Sequence, residues 1–211
     1  MGRIKAVISD FGGVLTTPLE AAVASVLAQN GVPLEALGRA MVSVTEHDGA
    51  NPLFELEKGR VTEAHFLARL DAALAVELGT EVRMASLGEG LGSHLRPNPE
   101  MIDYLRTLKA RGLRLAMLTN NVREWEARWR AMLPVDELFE VVVDSAFVGM
   151  RKPEPEIYAL TLERLGLDGD QCVFVDDVEI NCVAAREQGI VAVWFRDAAQ
   201  ARGEIEAALG G

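Results

Sequence analysis

The chain has 211 residues, 49% of them hydrophobic and 25% charged, with a formal net charge of −11. That length and apolar content suit one generous domain or a domain with a sizeable insertion, and they exclude a disordered chain. The acidic balance excludes broad binding to nucleic acid or to anionic membranes, which need clustered Lys and Arg, so any attraction for an anionic substrate has to be local.

The opening residues Met1 to Lys5 lead into only a few apolar positions before Asp10, too short and too polar a start for a secretion leader. No stretch approaches the roughly 18 apolar residues that a membrane helix needs, and a soluble cytoplasmic protein is the expectation. The first predicted strand runs from Ile4 to Ser9, with Asp10-Phe11-Gly12-Gly13 directly after it. In an open α/β sheet, ligands bind beyond the carboxyl ends of the strands. A carboxylate delivered there can serve as nucleophile or metal ligand, and the glycines let backbone approach a ligand closely. Gly12, two residues after the carboxylate, has no proton to donate.

The next interval, Thr16 to Leu95, carries helical patterns but no convincing strand, and it is far longer than an ordinary crossover. It is expected to be an all-helical cap over 16–95, bounded by Thr16-Thr17-Pro18 and Arg96-Pro97-Asn98-Pro99 and covering the end of the first strand. The core is then 1–15 and 96–211. Within the cap, Glu57-Lys58-Gly59-Arg60 reads as a turn into a helix capped by Thr62.

From Asn98 onward helices and strands alternate. Short Val, Ile and Leu runs predict buried strands at Leu113 to Leu118, Val141 to Asp144, Cys172 to Asp176 and Val191 to Phe195. Apolar residues at helical spacing predict helices at Asn98 to Arg111, Val122 to Met132, Glu154 to Leu165, Val178 to Gln188 and Asp197 to Leu209. Gly112, Gly166 and Gly189 follow three of them, where a left-handed cap is expected. This rhythm is that of a Rossmann-like, doubly wound parallel sheet. Cys172 and Cys182, the only cysteines, fall in a strand and a helix and read as buried hydrophobes. Trp125 and Trp129 share one helical face, which is core or the interface of a homo-oligomer, core being preferred.

Four strand ends carry polar groups. The first gives Asp10, and the second gives Thr119-Asn120-Asn121 before a helix whose amino end favours an anion. After the third comes Arg151-Lys152-Pro153-Glu154-Pro155, and the fourth ends in Asp176-Asp177, with Asn181 close behind. Each has a plain structural alternative. Asp10 could end a strand, Thr119 and Asn120 could cap a helix, Arg151 and Lys152 could be solvated, and Asp177 could be an N-cap. Their joint occurrence, in order at successive strand ends, favours a site. Three carboxylates in one crevice need a cation or a lysine to stay charged, and hard oxygen ligands without His or Cys suit Mg²⁺. Metal, lysine, hydroxyl and nucleophilic carboxylate together describe phosphoryl transfer through an aspartyl-phosphate.

At these four motifs the sequence resembles the haloacid dehalogenase-like hydrolases, over nearly its whole length. The pattern Arg151 to Tyr158 is similar to that of the amino-terminal phosphatase domain of soluble epoxide hydrolases, and the cap lies where the small helical cap group carries one. The resemblance implies that Asp10 attacks phosphorus. Mg²⁺ would be held by Asp10, the carbonyl of Gly12 and Asp177, with Asp176 assisting directly or through water. Thr119 and Asn120 would bind phosphoryl oxygens, and Lys152 would hold Asp10 and the phosphate. Cap residues would select a small phosphorylated substrate, with His47, Glu55 and Arg60 as candidates beside a surface reading. The departure is Gly12, where family phosphatases usually carry a second Asp as acid and base. Three readings stay open: a phosphatase for activated esters such as sugar 1-phosphates or one whose cap supplies the proton, a haloacid dehalogenase-type hydrolase, and a catalytically weak protein that binds a phosphorylated ligand or a partner.

Overall fold

The structure is a computed structural model that describes residues 4–84 and 87–210. Residues 1–3, part of the start weighed against a leader, and 85–86, inside the expected cap, lie outside the described residues, as does 211. The chain opens with β1 (Ala6–Ser9), four buried residues. Five helices follow: α1 (Leu19–Gln29), α2 (Leu34–Asp48), α3 (Pro52–Glu57), α4 (Glu63–Leu78) and α5 (Leu87–His94). Thr62 caps α4 as expected, its hydroxyl accepting from the His65 N–H. Next come α6 (Pro99–Ala110), β2 (Arg114–Thr119), a 3-10 turn (Arg123–Trp125), α7 (Glu126–Met132) and the short α8 (Val135–Leu138). They are followed by β3 (Val141–Asp144), the short α9 (Ser145–Val148) and α10 (Pro155–Leu165). β4 (Cys172–Asp176), α11 (Glu179–Glu187), β5 (Val191–Trp194) and α12 (Ala198–Gly210) complete it.

All strand pairs are parallel, in the order β3-β2-β1-β4-β5. The predicted strands agree with these to within two residues at their ends. Side chains alternate through the sheet, as pleating requires. Val7, Met117 and Val175 pack toward Leu105 of α6 and Ile205 of α12. Ile8, Leu118 and Phe174 pack toward Tyr158 of α10 and Ala185 of α11. The sheet is therefore buried on both faces, and its strands read as continuous apolar runs for that reason. Sequence order reverses on either side of β1, so the crevice beyond the ends of β1 and β4 is the switch point where such sheets bind ligands.

Helices α1 to α4 gather around an apolar centre built from Leu27, Ala36, Leu56, Phe66, Leu70 and Leu74, which Val122 joins, and α5 packs on α1 through Leu91, Ala22 and Val26. The chain leaves and re-enters the sheet region at adjacent points. Thr16 bridges Pro97 in antiparallel fashion, the Thr17 N–H donates to the Arg96 carbonyl at 2.8 Å, and the Asn98 side chain donates to the Val14 carbonyl at 2.9 Å. Close contact explains the glycines of α5, each of which costs a helix interior about 1 kcal/mol relative to Ala. A Cβ at Gly88 would overlap the Trp125 indole, and one at Gly92 the Arg128 side chain, so α5 lies directly on residues 125–128. Among the described residues no helix is long and apolar enough to cross a membrane.

Candidate active site

Asp10 is placed by the sheet itself, since its N–H donates to the Val175 carbonyl of β4 at 2.9 Å. Its carboxylate meets Lys152 Nζ at 2.8 Å, and the same ammonium meets Asp176 Oδ2 at 2.6 Å. Lys152 is 1% exposed, so the pair that could have been a solvated surface feature instead sends its lysine into the crevice. Asp176 also accepts from the Val178 N–H at 2.8 Å and from the Asn181 side chain at 3.0 Å. Four hydrogen bonds from three donors thus hold the last carboxylate of β4: lysine, backbone amide and the amide group of Asn181, which reaches both its oxygens. Asp177 does not cap α11, whose capping position is Val178. Oxygens of Asp10, Asp176 and Asp177 all lie within 4.8 Å of one another.

Burial pushes the Asp10 carboxyl up to about 7, with Lys152 opposing and the Asp176 and Asp177 charges adding to the rise. Asp177 is pushed up to about 6, first by burial and then by Asp176. For Lys152 burial works against the charge, but Asp10 and Asp176 outweigh it and hold the ammonium above its ordinary range. The donor set is all oxygen, acidic and converging, which fits a hard divalent cation such as Mg²⁺ and has no soft ligand for zinc or copper. Gly13 belongs to the same construction. Its φ of 73° and the Asp177 carboxylate that a Cβ would overlap both require glycine there. A Cβ on Gly12 would meet nothing within 4 Å.

The Thr119 hydroxyl sits buried at the end of β2 and lines the cavity beside Asp10. Asn120 does something the sequence did not suggest. Its Oδ1 accepts from the Lys152 N–H at 2.8 Å and its Nδ2 donates to the Lys152 carbonyl at 3.0 Å, so both ends of the side-chain amide are committed to positioning the lysine. Neither Thr119 nor Asn120 caps a helix; the Asn121 side chain accepts from the Val122 N–H instead. The thiols of Cys172 and Cys182 are free and buried, and burial pushes them up to about 11 and about 12, as inert core groups. Of the two tryptophans expected in the core, Trp129 is 4% exposed and packs against Phe11, whereas Trp125 ends the 3-10 turn half-buried and lines the cavity.

The three residues named for substrate selection are placed elsewhere. His47 bonds Asp48 at 2.7 Å, Arg60 bonds Glu55 at 3.0 Å, and none of the three lines the large cavity above Asp10. The surface reading fits them: His47 stands near the end of α2, Glu55 on α3 and Arg60 in the turn after α3, with His47 and Arg60 exposed and Glu55 partly so. What does reach over the crevice is the end of α3. Glu57 pairs with Arg151 at 2.6 Å, Phe54 lies 3.8 Å from the Arg151 guanidinium, and Lys58 pairs with Glu154. Glu57 is raised above its ordinary value by burial, with Arg151 opposing. The signal was present as matched charge order, Glu57-Lys58 against Arg151 and Glu154, but nothing in the spacing said that the two segments meet.

Comparison with known proteins extends these observations. The family model for haloacid dehalogenase-like hydrolases matches residues 4–189. Acyl-CoA dehydrogenase family member 10 of Mus musculus is 32% identical over 209 residues, which are 98% of this chain but only 19% of that protein. Sesquiterpene phosphatase astK of Aspergillus oryzae is 29% identical, over 98% of this chain and 97% of its own. Among solved structures, a HAD family enzyme of Bacteroides thetaiotaomicron shares 25% identity with a TM-score of 0.70, over 92% of this chain and 95% of that one. A variant of that enzyme has been solved in complex with magnesium and inorganic phosphate, at 25% identity and a TM-score of 0.65.

Proposed function

The chain belongs to the haloacid dehalogenase-like hydrolase family, and from that premise we propose that it is a magnesium-dependent phosphatase acting on a small phosphate monoester through an aspartyl-phosphate at Asp10. The observation that carries the reading is one lysine shared by two carboxylates, Asp10 at 2.8 Å and Asp176 at 2.6 Å, with a third carboxylate within 4.8 Å. A nucleophile held by its counter-ion at a strand end, under a cavity, is the arrangement that covalent phosphoryl transfer needs.

On this reading Asp10 Oδ displaces the alcohol from phosphorus, and water then cleaves the acyl phosphate. Lys152 keeps the attacking carboxylate oriented and meets the phosphate charge. The Thr119 hydroxyl donates to a phosphoryl oxygen. Asn120 contributes through its backbone, since its side chain fixes the Lys152 peptide. Mg²⁺ would be held by Asp10, the Gly12 carbonyl, Asp176 and Asp177, and it supplies neutralisation of charge on the phosphoryl oxygens. With no acid at Gly12, the alcohol leaves without a proton from that position, and esters with better leaving groups react faster. Residues 16–95 act as the cap over a core of 1–15 and 96–211, with the Glu57–Arg151 and Lys58–Glu154 pairs joining them.

Relatives called phosphatases support this reading over the dehalogenase alternative. The test is phosphate release from an aryl phosphate with Mg²⁺ present and with EDTA, for wild type and Asp10→Asn. Release that requires the metal and disappears in the variant is expected. Equal activity in the two proteins removes the nucleophile from Asp10.

A further inference from the structure

The cavity above Asp10 has a volume of about 1170 Å³, somewhat larger than the usual small-molecule site. Its lining is divided. Polar groups gather at the floor, where Asp10, Thr119, Lys152 and Asp177 stand. The walls are apolar: Val23 of α1, Leu91 of α5, Trp125 and Met132. The mouth is apolar too. Among the described residues ten large hydrophobic side chains are exposed, and five of the ten line this one cavity: Leu19, Leu34, Phe54, Val178 and Ile180. Single exposed hydrophobics are ordinary, whereas a collar of them around a charged floor marks a place that apolar matter occupies.

The arginines around the cavity have other engagements, and the remaining charge of the wall, Glu20, is acidic and exposed at the mouth. Arg151 is paired with Glu57, Arg128 faces Glu89 at 3.8 Å, and Arg196 faces Glu204 at 3.5 Å. A sugar in this space would set most of its hydroxyls against valine, leucine and methionine, with the Trp125 Nε1 as one donor on that wall. A hydrocarbon chain would bury against the same surface and bring no polar group of its own to satisfy.

We propose that the alcohol of the phosphate ester is an extended hydrocarbon, its phosphate at Asp10 and Lys152 and its chain running past Val23, Leu91, Trp125 and Met132 to the collar. The proposal rests on the reading of Asp10 as nucleophile and replaces the expectation of a sugar phosphate. In the reaction the P–O bond to the alcohol breaks as the bond to Asp10 forms. Water then adds its oxygen to phosphorus, one of its protons ending on the alcohol and one on phosphate. The net charge of −11 opposes residence on an anionic bilayer.

The test is a series of ethyl, butyl, hexyl and octyl phosphates with Mg²⁺. The longer members of this series share nearly one leaving-group basicity, so chain length isolates burial. Each methylene that enters the cavity should raise kcat/KM by about fourfold, the equivalent of ~0.8 kcal/mol per buried CH₂. Glucose 6-phosphate should fall at least a hundredfold below hexyl phosphate. Leu19→Asn and Leu34→Asn lie in first helical turns at the exposed collar, where a polar residue is compatible with folding. Combined, they should lower the octyl-to-ethyl ratio at least tenfold. A flat series, or glucose 6-phosphate on a par with hexyl phosphate, overturns the proposal and leaves the Asp10 reading standing. Absence of release from every ester, aryl included, overturns both. A collar whose substitution changes the sedimentation of the protein and not the octyl-to-ethyl ratio belongs to an interface with a second copy, which also overturns it.

Discussion

Replacing Gly12 by Asp tests whether the missing proton donor is the reason this site departs from related phosphatases. The position has room, since a Cβ there meets no atom within 4 Å, and its φ is not in the left-handed region. Gly13 is the built-in contrast, with a φ of 73° and the Asp177 carboxylate where a Cβ would go. General acid–base help is worth about 10²–10⁴ in rate, which corresponds to roughly 3–5 kcal/mol off the barrier. That gain applies only where the leaving oxygen needs a proton. An alkyl phosphate should therefore gain about a hundredfold or more in kcat, while an aryl phosphate with a stable phenolate should gain less than about tenfold. The assay is phosphate release from octyl and 4-nitrophenyl phosphate at saturating Mg²⁺, with kcat and KM separated. A fourth carboxylate beside Asp10, Asp176 and Asp177 adds repulsion, so half-saturation by Mg²⁺ should change as well, and saturation removes that variable. Equal gains for the two esters, or none, would refute the argument and mean that the proton already has another donor.

Lys152→Met leaves Asp10 and Asp176 buried without their shared cation, and metal-free protein should lose about 3–5 kcal/mol in urea unfolding at neutral pH; a loss under 1 kcal/mol would mean the carboxylates are not held by that lysine. Asp144 is buried and its carboxyl is pushed up to about 6 by burial, so ionisation costs the fold progressively as pH rises from 3.8 to about 6, and the cost is constant above. The stability of Asp144→Asn relative to wild type should then grow by about 2 kcal/mol between pH 4.5 and pH 7.5, and a constant difference would show that Asp144 titrates normally. Incubation with 2-chloropropionate in EDTA should release no chloride, and metal-independent release would return the dehalogenase reading.

Where the sequence was legible, one physical reason accounts for it. A doubly wound sheet buries both faces of every strand, so β1 to β5 appear as uninterrupted Val, Ile and Leu runs, and the residues that follow them must lie along one edge. Asp10, Thr119 and Asp176 were therefore readable as neighbours without any contact being known, and Lys152 follows from its place after β3. The helices over the crevice were less legible. Their amphipathic spacing says which faces are apolar, but not that α5 would lie on Trp125 through Gly88, nor that α3 would turn Glu57 rather than Glu55 toward Arg151. Asn120 shows a third limit. Its residue type is right for binding an anion and equally right for clamping the Lys152 peptide, and only the distances separate the two.

Charge balance connects the cofactor and the substrate more firmly than motif order does. Three carboxylates gather around a single lysine that pairs with two of them, so the fully ionised bare cluster would hold two negative charges beyond what it neutralises. Burial and mutual repulsion are relieved by retaining protons, which is why Asp10 stays protonated up to about 7 and Asp177 up to about 6. Near neutral pH such an Asp10 is only partly ionised and correspondingly weak as a nucleophile. A hard divalent cation held by the three oxygens would remove the excess and favour the carboxylate form of Asp10. A halide-displacing enzyme that used no cation would gain nothing from Asp177. A module that only binds a phosphorylated ligand would be hindered by all three acids, since each repels the anion. On the proposed reading, acids that exclude the phosphate from the bare crevice become the means of holding it once the cation is present, and Lys152 alone would not need them.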